Sequence, residues 1–172
     1  LYEGINIGST TTGLITYMRS DSTRLSDVFI SSCKNYIVNK YGEKYVGSYQ
    51  QKISKNAQDA HEAIRVTDIN NEPAKIKQYL SNDEYRLYKL IYQRTLAALM
   101  ADCLYNSTQI NLQCGKYLFT STGRVLLFDG YLKVYDDYDE DKVLPTLVVN
   151  EKLSSKHVEA KQHFTEPPAR YS

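Results

Sequence analysis

The stretch SNDEYRLYKLIYQRTLAALMADCLYNSTQINLQC, residues 81–114, changes its hydrophobic period part-way along and thereby sets the fold class. Its opening SNDE has the form of a capping box, with Ser81 at the N-cap and Glu84 at the third helical position. Leu80 and Tyr85 flank it as a hydrophobic staple. The helix that follows extends to about Met100 and carries Leu87, Leu90, Ile91, Leu96 and Leu99. That apolar surface is wider than one stripe, which predicts a central helix. From about Leu104 the period falls to two: Thr108, Ile110, Leu112 and Cys114 alternate with Ser107, Gln109, Asn111 and Gln113. Such alternation predicts a half-buried strand. Helix followed by strand in separate blocks reads as an α+β chain.

Upstream the chain is helical in pattern. Ser26 is placed to cap a helix ending near Tyr41, with Leu25 before the cap and Asp27 in the first turn. Val28, Phe29, Cys33, Tyr36, Ile37 and Tyr41 recur at helical spacing, and Gly42 is a stop signal. QDAHEAI, residues 58–64, reads as a short helix capped by Asp59, and another is expected from Pro73 to Leu80. Residues 1–13 read as a connector around GSTTTG, LITY (14–17) as a brief strand, and 42–57 as loop. Downstream, KYLFTSTGRVLLFDG (116–130) reads as a hairpin turning at Thr122-Gly123. YLKVY, TLVV and KHVEAKQHF supply further strand candidates. The division expected is a helical part over 1–101 and a β-rich part over 102–172, with no internal repeat.

The bulk composition is that of an ordinary globular protein of 172 residues with net charge +1, so no global basic field announces nucleic acid. Any such binding must use a local patch. Sixteen tyrosines and no tryptophan stand out; tyrosine serves both core packing and base stacking. Cys33, Cys103 and Cys114 are too widely spaced for a zinc site and imply no disulfide framework. They read as reduced thiols of a cytoplasmic protein. No apolar run reaches the roughly 18 residues of a membrane span. The start in mid-phrase at LYEGI and the end at PPARYS suggest a piece of something longer.

The passage with chemical content is GLITYMRSDSTRLS, residues 13–26, where Tyr17 stands two residues before Arg19 and close to Asp21. A phenol is a poor nucleophile at neutral pH, because its ordinary pKa of about 10 keeps it protonated. A neighbouring cation favours the phenolate, and a base can take the proton. In an extended segment Tyr17 and Arg19 project on one face, where a guanidinium can clamp the oxygens of a phosphodiester. On spacing alone Tyr-x-Arg is more readily a packing feature than a reactive pair.

The longer string GLITYMRSDST resembles the active-site motif of type IA DNA topoisomerases, and the methionine after the tyrosine resembles the bacterial topoisomerase I branch. QDAHEAIR (58–65), RLYKLIYQRTLAALM (86–100) and QHFTEPPARYS (162–172) follow in the family's order. Val66 replaces the proline usual after HEAIR, and Ser20 replaces a common threonine. The resemblance implies that Tyr17 is the nucleophile, becoming linked to a 5′ phosphate of one DNA strand. Arg19 would stabilise the scissile phosphate, and His61 would contact that phosphate or assist proton transfer. Asp21 would orient Arg19, while Thr16, Glu62 and Arg65 would back the site or touch DNA. It also implies a mainly helical domain bearing the tyrosine, followed by an antiparallel β-rich section of the family's arch. That section would pair with strands from upstream of Leu1 and otherwise shows open edges.

Implied partners are single-stranded DNA and the remaining domains of the same enzyme, including an N-terminal metal-binding domain. The location implied is cytoplasmic, at the nucleoid, with no membrane. Mg²⁺ would be held by that other domain and none within this chain. The acidic run Asp136, Asp137, Asp139, Glu140 and Asp141 reads as a solvated loop. Such an enzyme reseals DNA without ATP, and this piece alone would be inactive. A non-catalytic single-strand-binding module using tyrosine stacking, or a purely structural interaction domain, are the alternatives.

Overall fold

The computed structural model describes residues 1–8, 10–49, 61–135 and 140–168. It is an α+β chain. Its regular elements are β1 (Ile5–Asn6), β2 (Thr11–Thr12), α1 (Asp27–Tyr41), α2 (Pro73–Ile76), α3 (Asn82–Ala97), β3 (Leu104–Cys114) and β4 (Tyr117–Phe128). β1 and β2 pair antiparallel, as do β3 and β4.

The helix signals act as read. The Ser26 hydroxyl accepts from the Phe29 N–H, and Gly42, at φ +101°, ends α1 by donating to the Ile37 and Val38 carbonyls. Both halves of the capping box form at α3: Ser81 accepts from the Glu84 N–H, and the Glu84 carboxylate accepts from the Ser81 N–H at 2.9 Å. The predicted Pro73–Leu80 helix is α2 followed by a 3₁₀ turn, Lys77–Tyr79.

The face that α3 buries differs from the expected one. Tyr88, Tyr92 and Leu96, spaced at one turn, enter the core, whereas Leu87 and Leu90 are about half exposed on the opposite side. The helix is thus one-sided, and its core stripe is written in tyrosine. Both phenols find carbonyls inside: Tyr88 Oη donates to Asn71 O at 2.7 Å and Tyr92 Oη to Ile69 O at 2.9 Å. Phe29, Cys33 and Ile37 of α1 meet this stripe, with Leu14, Val66 and Ile69 from the irregular segments filling the remainder. Val28, on the outer side of α1, is exposed.

The β-rich region departs further from its pattern. Its hairpin does not turn at Thr122-Gly123. β3 and β4 pair from Leu104↔Phe128, across one register shift, then unbroken from Tyr105↔Leu126 to Cys114↔Tyr117, so the turn is Gly115-Lys116, with Gly115 at φ +57°. Gly123 lies mid-strand because chain passes over it. A Cβ there would stand 2.4 Å from Lys142 O and 2.7 Å from Leu144 Cγ. The ribbon is largely exposed rather than half-buried, with Leu118 and Phe119 bare. YLKVY forms a 3₁₀ turn, Gly130–Lys133, and neither TLVV nor KHVEAKQHF pairs as strand. Tyr45 joins ribbon to helices: its hydroxyl donates to Asp129 at 2.7 Å and its ring packs on Phe128 at 5.0 Å between centroids.

Candidate active site

Two distant segments make the site, and a short backbone ladder joins them. Ile15 and Val66 form an antiparallel bridge; Thr16 N donates to Arg65 O at 2.9 Å and Thr67 N to Leu14 O at 3.0 Å. Leu14, Ile15 and Val66 are buried, so apolar side chains anchor the ladder in the core. Thr16 tightens it. Its hydroxyl donates to Ala63 O at 2.7 Å and accepts from Arg65 N at 2.9 Å. The LITY strand is reduced to this bridge. Residues 61–64 are not helical, and Asp59, the expected cap, lies outside the described residues.

Beyond Thr16 the chain turns outward, and Tyr17 is 52% exposed. The segment is not extended: Arg19 N donates to Tyr17 O at 2.9 Å, closing a three-residue turn. Both side chains nevertheless face His61. The Tyr17 and His61 rings lie 6.2 Å apart between centroids, and Arg19 Nη1 is 3.2 Å from His61 Nε2. Arginine has no acceptor, so Nε2 accepts this bond, which requires a neutral imidazole bearing its proton on Nδ1. Arg19 Nε meets Asp21 Oδ2 at 2.8 Å. Both partners are part-exposed, so this pair fixes orientation more than it stabilises the fold. Three of the five guanidinium N–H groups remain for a ligand.

Glu62 and Arg65 lie behind this surface. Arg65 Nε donates to Glu62 Oε2 at 2.7 Å, Nη1 donates to Val66 O at 2.8 Å, and the guanidinium lies 3.9 Å over the Phe29 ring. Its donors and its face are engaged within the fold, where they stiffen the strip bearing His61. The Ala63 N–H, on the same strip, donates to Arg24 O at 2.8 Å.

Tyr2 was not visible as a site residue. Its ring lies 5.5 Å from that of Tyr17, and it comes from the connector, which carries no local signal. Among the described residues no group of three or more His, Cys, Asp or Glu could hold a metal ion. Of the acidic run, Asp136, Asp137 and Asp139 lie outside the described residues; Asp141 Oδ1 accepts from the Leu126 N–H at 2.9 Å. No helix among the described residues is long and apolar enough to cross a membrane.

The family model described as DNA topoisomerase matches residues 1–172. The chain is 45% identical over 175 residues to DNA topoisomerase 1 of Helicobacter pylori, covering all of this chain and 24% of that protein. It is 46% identical over 184 residues to DNA topoisomerase 1 of Rickettsia typhi, again covering 100% and 24%. The fold resembles full-length topoisomerase I of Thermotoga maritima with TM-score 0.72 and 37% identity, over 85% of this chain and 23% of that one. The chain thus spans 24% of the length of the curated relatives it matches.

Proposed function

The chain belongs to the DNA topoisomerase family, and from that membership we propose that it is the part of a type IA enzyme that supplies the nucleophile, Tyr17. The observation that carries this reading is the outward Tyr17 ring beside the Arg19–His61 pair. A phosphodiester of single-stranded DNA entering here meets the unengaged N–H groups of Arg19 on its non-bridging oxygens. As Arg19 turns to the phosphate it releases His61 Nε2, which becomes free to accept the phenolic proton. Tyr17 Oη then attacks phosphorus. A tyrosyl P–O bond forms while the P–O3′ bond breaks, and the departing oxygen takes up a proton to become a free 3′ hydroxyl.

One phosphate ester has replaced another, so the 3′ hydroxyl reverses the exchange without ATP. Passage of another strand through the break between the two steps relaxes negative supercoils. Asp21 holds Arg19 in place, while Thr16, Glu62 and Arg65 hold the strip that carries His61.

Mg²⁺, implied by the family, would offset phosphate charge when bound. On this reading its ligands belong to the rest of the parent enzyme, and no step here runs through it. The other partners of this reading are that remainder, working at the nucleoid in the cytoplasm, and the strands that cover the bare ribbon. The helical part, 1–101, is then the mobile gate and 102–172 part of its hinge. The isolated chain holds a nucleophile without its metal and is inactive alone.

The test uses the full-length parent and a labelled single-stranded oligonucleotide, trapping the covalent adduct with denaturant. Tyr17→Phe is expected to abolish the adduct while non-covalent binding survives. His61→Ala lowers its rate of formation by about 10²–10⁴. An adduct that persists in Tyr17→Phe overturns the reading in favour of a chain that binds single strands without reacting.

A further inference from the structure

Of the arginines around the proposed nucleophile, Arg19 is held by Asp21 and His61, and Arg65 by Glu62, the Val66 carbonyl and the Phe29 face. Arg24 is different. Its Nε is buried and has no hydrogen-bond partner, the one such side-chain atom among the described residues. No acidic side chain among those residues pairs with its guanidinium. A cationic donor shut away from water without an acceptor is held in an unfavourable seat. Nothing about the backbone of Arg24 is loose, however. Its N–H donates to Ser22 Oγ at 3.2 Å, and its carbonyl accepts from the Ala63 N–H at 2.8 Å. Ala63 O in turn accepts from Thr16 Oγ1 at 2.7 Å. Arg24 is therefore rooted, through one residue, to the ladder that holds Tyr17 and His61 together, while its own charge is uncommitted. Arg24 is only partly buried, so an anion has access to the side chain.

We propose that Arg24 leaves this seat to bind a backbone phosphate of the cleaved strand, a different phosphate from the one that Tyr17 attacks. This rests on the reading of Tyr17 as a nucleophile toward DNA. The gain is asymmetric. Arg19 is committed to the phosphate that Tyr17 attacks, and Arg65 must surrender existing partners to take a new anion, whereas Arg24 surrenders none and satisfies a stranded donor. A second phosphate fixed by a rooted arginine sets the register of the strand over Tyr17. It carries no base preference.

The experiment measures binding of single-stranded oligonucleotides to the full-length parent carrying Tyr17→Phe, so that affinity is read without cleavage. Arg24→Ala added to that background is expected to weaken binding about tenfold at fixed salt. It should also reduce the slope of log affinity against log salt by about 0.7, the amount for one single-strand phosphate contact. Oligonucleotides made neutral at one phosphate at a time by methylphosphonate identify the partner. One position should weaken the parent and cost Arg24→Ala nothing further, and Arg24→Lys should recover part of the slope. An unchanged slope with an unchanged methylphosphonate map overturns the proposal. So does a loss of affinity accompanied by a lowered unfolding temperature with slope and map intact, which marks a purely structural residue. Arg24→Gln, which keeps a donor without the charge, gives the same slope reading should the alanine variant fold poorly. Because these readouts need no cleavage, they stand apart from the adduct assay. Adduct formation by the Tyr17→Phe enzyme sinks the nucleophile and leaves the phosphate map to be judged by itself.

Discussion

Thr16 shows how much one side chain does between sequence and chemistry. Its hydroxyl spans the gap between the tyrosine segment and the His61 strip, donating to one carbonyl and accepting from one N–H. Thr16→Val keeps the shape and strands both partners, at a cost of about 1–3 kcal/mol for groups left unpaired away from water. Thermal unfolding of the chain should register that loss. The rate of adduct formation in the parent should fall as well, because His61 is no longer held opposite Tyr17. Thr16→Ser restores both. An adduct rate that is unchanged in Thr16→Val would mean that the ladder does not set the site. Much of the candidate site's grouping is legible at this scale. Tyr17, Arg19, Asp21 and His61 could be picked out because the motif strings fix their identities, and the structure brings all of them together. Tyr2 and the dry Nε of Arg24 could not, since contact and burial across distant segments leave no trace in local spacing.

Among the elements, those that carry their own chemistry follow their sequence and those that need a partner do not. α1 and α3 begin at Ser26 and Ser81 because a hydroxyl satisfies amides that the helix cannot. Ser81→Ala should destabilise the chain by about 0.5–2 kcal/mol in urea or thermal unfolding, with the site geometry unchanged. A strand's hydrogen bonds lie outside its own sequence, which is why TLVV and KHVEAKQHF pattern as strands yet pair with no strand among the described residues. The same blindness misplaced the hairpin turn. The turn falls at Gly115-Lys116 instead of Thr122-Gly123, and only the fold reveals that Gly123 is reserved for the close approach of residues 142–144. Gly123→Val should therefore push that segment away and break the bond from Lys142 N to Arg124 O. Backbone amide exchange at Lys142 is expected to quicken markedly in the variant, and protection equal to the parent's would contradict this.

For the molecule as a whole, the tyrosine-lined core makes a statement about pH. Burial raises the pKa of Cys33 from 9.0 to about 12 and moves the phenols of Tyr88 and Tyr92 upward as well. The folded chain keeps protons there that the unfolded chain releases at their ordinary values, so each group's contribution is intact below pH 9 and shrinks as pH climbs toward 12. The unfolding temperature should fall steadily across that window, and a flat profile would show that these groups ionise without unfolding. Within the same window Cys33 should resist alkylation in the native protein while the exposed Cys114 reacts. The ladder of residues 14–16 with 65–67 has a consequence at this scale too. If Tyr17 is the nucleophile we propose, it and the side chains proposed to grip the anion are sewn to one body, so displacement of that body would transport a severed strand end together with its own grip. The end would come home already aligned for rejoining, with no transfer of the break from one carrier to another.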